Sequence, residues 1–363
     1  MKQILCLSSE PWSSRLPGRT QQLVSRLRDV QILYFSPAQS PRDKSFRKKG
    51  RKVRPNVTVH TLPPVLFPIP ERRRLLFRLA WNKVGRYIQD TASRRRFTQP
   101  LLWTTHPRQI HLLDRLEYGS LVYDCDRDWS NLPPHWEDCL AQAADVVFAA
   151  SPFLADRLSP CSANVALVPN GINLPLFSPD VPRTDPMPGT AGPILGWAGT
   201  IRPDLDLSPV LYAAQVRPDW TFLLLGQREG DNPFLSRLAR LPNVYLPGPR
   251  PMAEVPDWLY RCHVLIDLLY ADRPCDDVVS PRLYEYLATG KPIVSMLWPD
   301  QVEQFPDVVY AAYSPEEFLT LCGHAMEEAP RFVSQRRRDW AARAAWPLRA
   351  GEVGRILTTA GLL

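Results

Sequence analysis

The 363-residue sequence lacks the features that mark several common protein classes. It has only 17 glycines and no Gly-x-y period, which excludes a collagen-like chain. No apolar run approaches the ~20 residues that a membrane-spanning helix requires. The apolar stretch at the start, Ile4–Leu7, is too short for a secretory signal, so a cytosolic protein is expected.

Cysteine usage and missing nucleotide motifs exclude further classes. The seven cysteines are odd in number and scattered, without a Cys-x2-Cys pair, which argues against a disulfide framework and a structural zinc site. The chain has no Gly-x4-Gly-Lys-Ser/Thr, and residues 8–18, after the first predicted strand, lack Gly-x-Gly-x2-Gly. P-loop and dinucleotide-dependent enzymes are therefore disfavoured. A serine hydrolase is excluded because no Gly-x-Ser-x-Gly elbow occurs.

Short apolar segments alternate with stretches of helical length. The first series is Gln3–Leu7, Val30–Phe35, Val57–Thr61, Leu101–Thr104, Leu121–Tyr123, Val146–Ala149 and Val165–Val168; the second is Ile194–Trp197, Thr221–Leu225, Val244–Leu246, Val264–Leu268, Ile293–Ser295 and Val308–Tyr310. Such strands are typical of parallel sheets covered on both faces. A proline-rich stretch separates the two series, so we predict an α/β fold with two Rossmann-like, doubly wound domains, 1–173 and 194–330, joined by a linker at 174–193. The facing carboxyl ends of two such sheets would form a cleft.

Positive charge is concentrated in the N-terminal half. Residues 42–97 carry a net charge of +14, and the rest of the chain carries −7. A surface of this kind attracts phosphates, whether on nucleic acid, lipid head groups or a diphosphate-linked substrate. A nucleic-acid partner is not expected, because no stacking platform or recognition-helix pattern accompanies the charge.

Residues 71–97 have helical periodicity, with Leu76, Ala80 and Val84 on one stripe and arginines on the flanks. Two interpretations remain open. The helix packs on the core with a solvated basic face, or it lies on an anionic membrane surface, where leucine beside arginine is typical.

Six segments of the second half, in order, resemble GT-B glycosyltransferases near the group with Glu-x7-Glu motifs. They include "VALVPNGINLPLF" (165–177), "ILGWAGTI" (194–201), "SPRLYEYLATGKPIVS" (280–295) and "RDWAARAAW" (338–346). The resemblance extends over about residues 120–350. It implies the GT-B fold, an N-terminal acceptor domain, a C-terminal nucleotide-sugar domain, and final helices at 331–363 that cross back to the N-domain.

The resemblance implies a donor site in the second half. Ser280 is expected to cap a helix whose free amides suit a diphosphate. Glu285 matches the second motif glutamate, which accepts hydrogen bonds from the ribose diol, and Asp277 stands where the first glutamate is usual. The remaining donor candidates are Gly199 and Thr200 at a strand-to-helix turn, Arg202 and Arg282 as cations for the leaving group, Leu283, and Arg250 near the base.

The first half is expected to hold the acceptor and any base. Asp124, Asp126 and Asp128 follow a predicted buried strand, and we expect Asp126 or Asp128 to be the general base. The acceptor candidates are Arg15, Gly18 and Arg19 in the first loop, and His106. Helix capping is the alternative role for Asp128. The same loop also reads as Asp-x-Asp twice, but no metal or other cofactor is expected.

We predict a cytosolic hexosyltransferase-type enzyme that makes cell-envelope polysaccharide. In the membrane interpretation of the basic helix, the enzyme is peripheral on the inner membrane face. Its partners would be a nucleotide diphosphate sugar, a glycan or polyprenyl-diphosphate-linked acceptor, and an anionic membrane surface. The alternatives are a GT-B-like sugar-nucleotide epimerase and a non-catalytic nucleotide-sugar-binding protein. The second is suggested by an absent loop histidine, Asp277 in place of glutamate, and no lysine after Gly199 before Pro209.

Overall fold

The computed structural model describes residues 1–13, 17–40, 42–64, 73–187, 189–190, 192–270, 278–296, 303–328 and 330–363. Within them the chain forms two compact units. The first unit comprises Met1–Pro169 and Pro347–Leu363, and the second comprises Asn170–Trp346.

The first unit is built on an eight-stranded sheet in the order β3-β4-β2-β1-β5-β6-β7-β8. Its strands are β1 (Lys2–Leu7), β2 (Val30–Ser36), β3 (Arg51–Arg54), β4 (Val57–Thr61), β5 (Leu101–Thr104), β6 (Ser120–Cys125), β7 (Val146–Ala149) and β8 (Val165–Leu167). Its helices are α1 (Arg19–Val24), α2 (Arg74–Arg94), α3 (Pro134–Ala143) and α4 (Pro152–Leu158), with 3-10 turns at Ser45–Arg47 and Pro107–Arg115. The central strand β1 is buried from Ile4 to Leu7, as its uninterrupted apolar sequence requires.

Strand β3 is absent from the predicted series. It pairs antiparallel with β4 at the edge of the sheet, placing Arg51 opposite Val59, whereas the other strands of this sheet pair in parallel. Its sequence, Arg-Lys-Val-Arg, carries charge in place of an apolar run. Charged side chains are common on edge strands because they discourage pairing with another sheet.

The second unit has a six-stranded parallel sheet in the order β11-β10-β9-β12-β13-β14. The strands are β9 (Ile194–Ala198), β10 (Thr221–Leu225), β11 (Val244–Gly248), β12 (Val264–Asp267), β13 (Ile293–Ser295) and β14 (Tyr310–Ala311). The helices are α5 (Ser208–Val216), α6 (Leu235–Leu238), α7 (Val255–Arg261), α8 (Pro281–Thr289), α9 (Pro315–Met326) and α10 (Pro330–Arg343), after a 3-10 turn at Leu174–Phe177. A final helix, α11 (Trp346–Thr359), begins at the last residue of this unit and continues in the first.

The second sheet has an apolar core on each face. Side chains of β9 alternate between the two cores, with Ile194 and Ala198 on one face and Leu195 and Trp197 on the other. Helices α7, α8 and α10 cover the first face, while α5, α6 and α9 cover the second. This confirms the predicted fold class of doubly wound parallel sheets.

The units do not coincide with the predicted domain bounds. The change of unit falls between Pro169 and Asn170, and Phe177 and Met187 from the predicted linker are buried in the second unit's core. Helix α10 belongs to the second unit, and only residues from Pro347 onward belong to the first. The predicted linker thus contributes apolar side chains to the core of the second unit, which its proline content does not indicate.

The two halves of helix α2 differ in burial. Val84 and Ile88 in its second half are buried in the first unit, whereas Leu75, Leu76 and Leu79 near its start are 70%, 52% and 63% exposed. Within the described residues, no helix has the length and apolar character needed to cross a membrane.

Candidate functional site

The carboxyl edge of the first sheet collects charged side chains from two loops. Arg19, on α1, donates from Nε and Nη2 to Asp124 Oδ1 at the end of β6, at 3.0 and 2.9 Å. Both residues are buried. Burial raises the pKa of Asp124, and the adjacent Arg19 guanidinium opposes that rise. Arg19 therefore anchors the strand end, and its role toward an acceptor stays a prediction.

Asp126 lies in the loop after β6, where Arg127 holds it. Arg127 donates from Nε and Nη2 to the two carboxylate oxygens, at 3.1 and 2.8 Å. The same Nη2 donates to Glu10 Oε1 at 3.2 Å. Asp126 and Glu10 thus share one guanidinium.

Glu10 is a candidate that the sequence analysis missed. It follows β1 in the first loop, and burial together with Asp126 raises its pKa above the ordinary glutamate value, while Arg127 opposes the rise. Gly18 makes room for it, because a Cβ at Gly18 would lie 1.9 Å from Glu10 Oε2. A carboxyl group with a raised pKa at a sheet's carboxyl edge suits proton transfer. The available signal was its position in the loop after β1, which is separated by β5 from the strand that precedes Asp126.

Asp128 closes a local turn. Its carboxylate accepts from Ser130 N at 3.0 Å and from Ser130 Oγ at 2.9 Å, and Arg157 Nη2 is 4.0 Å away. This local turn differs from the helix capping expected as its alternative role, because the N-cap position of α3 is Pro133. Asp126 and Glu10 are therefore better placed than Asp128 to act as a base.

His106 fixes the loop after β5. Its Nδ1 accepts from Arg108 N at 3.1 Å, and its ring lies 4.3 Å from that of Trp129. Burial, aided by Arg108, lowers the pKa of His106 to about 4, so the imidazole is neutral at neutral pH. Arg15, the remaining acceptor candidate, lies outside the described residues.

At the carboxyl edge of the second sheet, Gly199 follows β9 in close contact with its neighbours. A Cβ there would lie 2.8 Å from both Arg282 Nη1 and the Trp197 ring. The adjacent Thr200 carbonyl accepts from Tyr270 Oη at 2.8 Å. Glycine is therefore required here for the arginine to reach the turn.

Arg282 is held by an aspartate that the sequence analysis did not select. It donates to Asp267 Oδ1, at the end of β12, from Nε at 2.8 Å and from Nη2 at 2.6 Å. Its guanidinium also lies 5.2 Å from the Trp197 ring centre. An arginine fixed in this way can present its remaining donors to an anion with little loss of entropy.

The start of α8 holds two further predicted residues. Ser280 occupies the N-cap position but makes no capping hydrogen bond, and its buried Oγ has no partner among the described residues. Glu285, one turn into the helix, is half-buried, and burial raises its pKa to about 7 against the effect of Arg282. The Leu283 side chain is buried in the core, and its contact with a donor stays a prediction. Asp277 lies outside the described residues.

The other predicted cations lie farther along the same edge. Arg202 forms an ion pair with Asp204 and lies 4.3 Å from the Tyr270 ring centre. Arg250, just after β11, is exposed and lies 5.4 Å from the ring centre of Trp258. Across the described ranges, no group of three His, Cys, Asp or Glu side chains is arranged to hold a metal ion.

Sequence comparison finds one informative relative. The chain is 27% identical over 345 residues to the "Putative teichuronic acid biosynthesis glycosyltransferase TuaH" of Bacillus subtilis, covering 87% of this chain and 86% of that protein. No protein-family model matches the sequence.

Solved structures share the fold at low sequence identity. Sucrose-phosphate synthase from Thermosynechococcus elongatus has a TM-score of 0.74 at 15% identity and covers 99% of both chains. An alpha,alpha-trehalose 6-phosphate synthase from Burkholderia multivorans has a TM-score of 0.73 at 9% identity, again over 99% of both chains. Anabaena HepE, in complex with UDP and glucose, has a TM-score of 0.67 at 15% identity, over 99% of this chain and 100% of HepE. The predicted GT-B fold is confirmed.

Proposed function

We propose that the protein is a glycosyltransferase that moves a sugar from a nucleotide diphosphate sugar to a glycan or a polyprenyl-diphosphate-linked acceptor in cell-envelope polysaccharide synthesis. The observation that carries the proposal is the start of α8. There a Ser280 hydroxyl without a partner in the described part of the chain, a fixed Arg282 and a half-buried Glu285 occur together. The likeness to TuaH along most of the chain supports the envelope role. Full-length likeness to a protein bound to UDP and glucose supports the donor class.

Each of these groups has a role in donor binding. The amides at the start of α8 and the Ser280 hydroxyl donate to the diphosphate, where the helix dipole favours negative charge. Arg282 neutralises the charge that develops on the leaving group. Glu285 accepts hydrogen bonds from the ribose hydroxyls, and those bonds favour its ionised form.

The first unit supplies the base in this proposal. Glu10 accepts the proton of the acceptor hydroxyl, and its raised pKa improves it as a base. Arg127, bonded to both Glu10 and Asp126, fixes the two carboxylates relative to each other.

Helix α2 supports membrane association. Leu75, Leu76 and Leu79 are exposed, and Arg78 lies among them on a helix rich in basic residues. Leucine beside arginine suits the boundary between anionic headgroups and acyl chains. Replacing the three leucines by glutamine should abolish sedimentation with anionic vesicles and leave the melting temperature unchanged. The same change at exposed Leu167 and Leu348 is the control. Unchanged vesicle binding by the α2 variant would refute this part of the proposal.

Thermal stabilisation by UDP, GDP, ADP, dTDP and CMP tests the donor site. A nucleotide at a hundredfold excess over its dissociation constant adds about 2.7 kcal/mol of stability, so one of the five should raise the melting temperature. Glu285→Gln should remove that shift. Glu316→Gln, at an exposed position of the same unit, should retain it. A shift with none of the nucleotides would refute the proposed function, and binding without hydrolysis or transfer would favour the non-catalytic alternative.

A further inference from the structure

A second charged site lies on the first unit, at the opposite end of α2 from the exposed leucines. Residues 46–50 and the last turns of α2 enclose a cavity of about 440 Å³. Its basic lining side chains are Arg47, Lys48, Lys49, Arg94 and Arg95. None of the described residues that line it is acidic. The cavity therefore carries a concentrated positive charge without a lining carboxylate to neutralise it.

The inner wall of the cavity is formed by rings and a buried imidazole. Phe46 and Tyr87 meet edge to face with their ring centres 6.3 Å apart, and His60 stacks on Phe35 at 5.7 Å. His60 is 8% exposed, and its Nε2 has no hydrogen-bond partner among the described residues. A Cβ at Gly50 would lie 2.2 Å from that nitrogen, so glycine allows the chain to cross the imidazole. The inner wall is thus a packed part of the fold, and the five basic side chains around it are exposed.

We propose that this cavity binds a phosphate or diphosphate group carried on a larger ligand. Arginine presents paired donors that match phosphate oxygens. The positive charge of three arginines and two lysines is also larger than the single negative charge of a carboxylate ligand. The cavity is larger than an inorganic phosphate, and the Phe46 and Tyr87 rings offer a surface for an apolar or sugar portion beside it. The inference stands on the cavity alone and does not require a nucleotide sugar in the second unit.

Titration of the full chain with pyrophosphate tests the proposal. The pocket variant replaces Arg47, Lys48 and Arg95 by glutamine. The control variant replaces Lys44, Lys52 and Arg86, which are exposed and do not line the cavity, so both variants lose the same charge. Because the three exposed cations of the pocket variant supply charge-assisted hydrogen bonds to phosphate, that variant should lose pyrophosphate affinity at least about thirty-fold. The control variant should lose only a few-fold.

A second measurement detects pyrophosphate at the cavity in the unaltered protein. Pyrophosphate should shift the imidazole NMR signals of His60, assigned with His60→Gln, at the concentrations that saturate the titration. Three results would overturn the proposal: an equal loss of pyrophosphate affinity in the two variants, no pyrophosphate binding to the unaltered protein, or His60 NMR signals that do not shift. Equally tight binding of an oligouronate would also overturn it, in favour of a carboxylate ligand.

Vesicles distinguish two sources of the phosphate. If the ligand is a lipid, phosphatidylcholine vesicles that carry a polyprenyl diphosphate should bind the protein more tightly than plain vesicles, and pyrophosphate should release it. If the ligand is soluble, pyrophosphate should bind while the two kinds of vesicle behave alike. Either result supports the cavity as the phosphate site, provided that the pocket variant loses the interaction.

Discussion

At the scale of single residues, Glu10 is the side chain whose replacement should affect catalysis most. Glu10→Gln removes the proposed base but keeps its size, and loss of a general base typically lowers a rate about 10²–10⁴-fold. We expect kcat to fall by that order, with little change in the melting temperature. Asp128→Asn is the matched control, because Asp128 closes a turn with Ser130. If kcat falls for the control and not for Glu10→Gln, the base has been assigned to the wrong carboxylate.

The buried ion pair between Arg337 and Glu328 predicts a large stability effect. Arg337 is fully buried and donates to both oxygens of Glu328, at 2.6 and 2.7 Å, and to the Val308 carbonyl at 2.7 Å. Arg337→Ala leaves the Glu328 carboxylate, which is 8% exposed, without its cation and with the Tyr310 hydroxyl as its remaining donor among the described residues, which should cost about 3–5 kcal/mol in urea unfolding. Arg336→Ala breaks an exposed pair with Asp307 and should cost under ~1 kcal/mol. Similar losses for the two variants would contradict this account.

The raised pKa of Glu285 predicts how stability depends on pH. The folded protein holds this proton up to about pH 7, whereas the unfolded chain releases it near the ordinary value of 4.5. Stability contributed by the protonated form is therefore lost as pH rises through this window. Glu285→Gln should unfold like the unaltered protein at pH 4 and be more stable by about 1–3 kcal/mol at pH 8. Parallel stability profiles for the two proteins would show that Glu285 ionises normally.

Which charged residue pairs with which was not predictable from the sequence. The aspartate that holds Arg282 comes 15 residues earlier in the chain, and Glu10 meets Arg127 across 117 positions. Such pairs depend on how the fold orders its strands and helices in space, which no local pattern encodes. The residues that the resemblance selected at α8 do lie together, because Ser280, Arg282 and Glu285 share the first turns of one helix.

At the scale of elements, replacing each of two glycines of the second unit by alanine should change the stability in opposite directions. Gly290 ends α8 with φ of +74°, and a Cβ there would lie 2.4 Å from Ser334 Oγ on α10. Gly290→Ala should therefore cost at least about 1–2 kcal/mol. Gly323 lies inside α9 with no atom within 4 Å of a Cβ, so Gly323→Ala should stabilise by about 0.5–1 kcal/mol. Thermal unfolding of both variants shows whether each substitution raises or lowers the stability. A stabilising Gly290→Ala would refute the close approach of Gly290 to Ser334.

The apolar pattern of the sequence predicted the strands of both sheets except β3, the charged strand at the edge of the first sheet. Each predicted strand overlaps an observed one. Central strands such as β9 are buried on both faces and must therefore be apolar throughout. Strand β3 was missed since its side chains are basic and largely exposed. The helix at 71–97 was predicted as one element, but its two halves differ in burial, which the sequence pattern alone did not separate.

At the scale of the whole molecule, a residue near the end of the chain should control the stability of the first unit. Leu357 on α11 is completely buried, whereas Leu348 on the same helix is 58% exposed. Leu357→Ala should cost about 2–5 kcal/mol, and Leu348→Ala should be nearly neutral. Hydrogen exchange should show faster opening in residues 1–169 of the Leu357 variant, with 170–346 unchanged. Faster exchange confined to the second unit would contradict the division of the chain.

The return of residues 347–363 to the first unit also sets an order of events on the ribosome. Domains generally fold as units while the chain emerges. Here residues 1–169 are made early but wait for 347–363, whereas everything that 170–346 needs has been made once Trp346 has emerged. The unit synthesised second is therefore the first that can be completed, and the nascent first unit must be kept from aggregating until residues 347–363 have emerged.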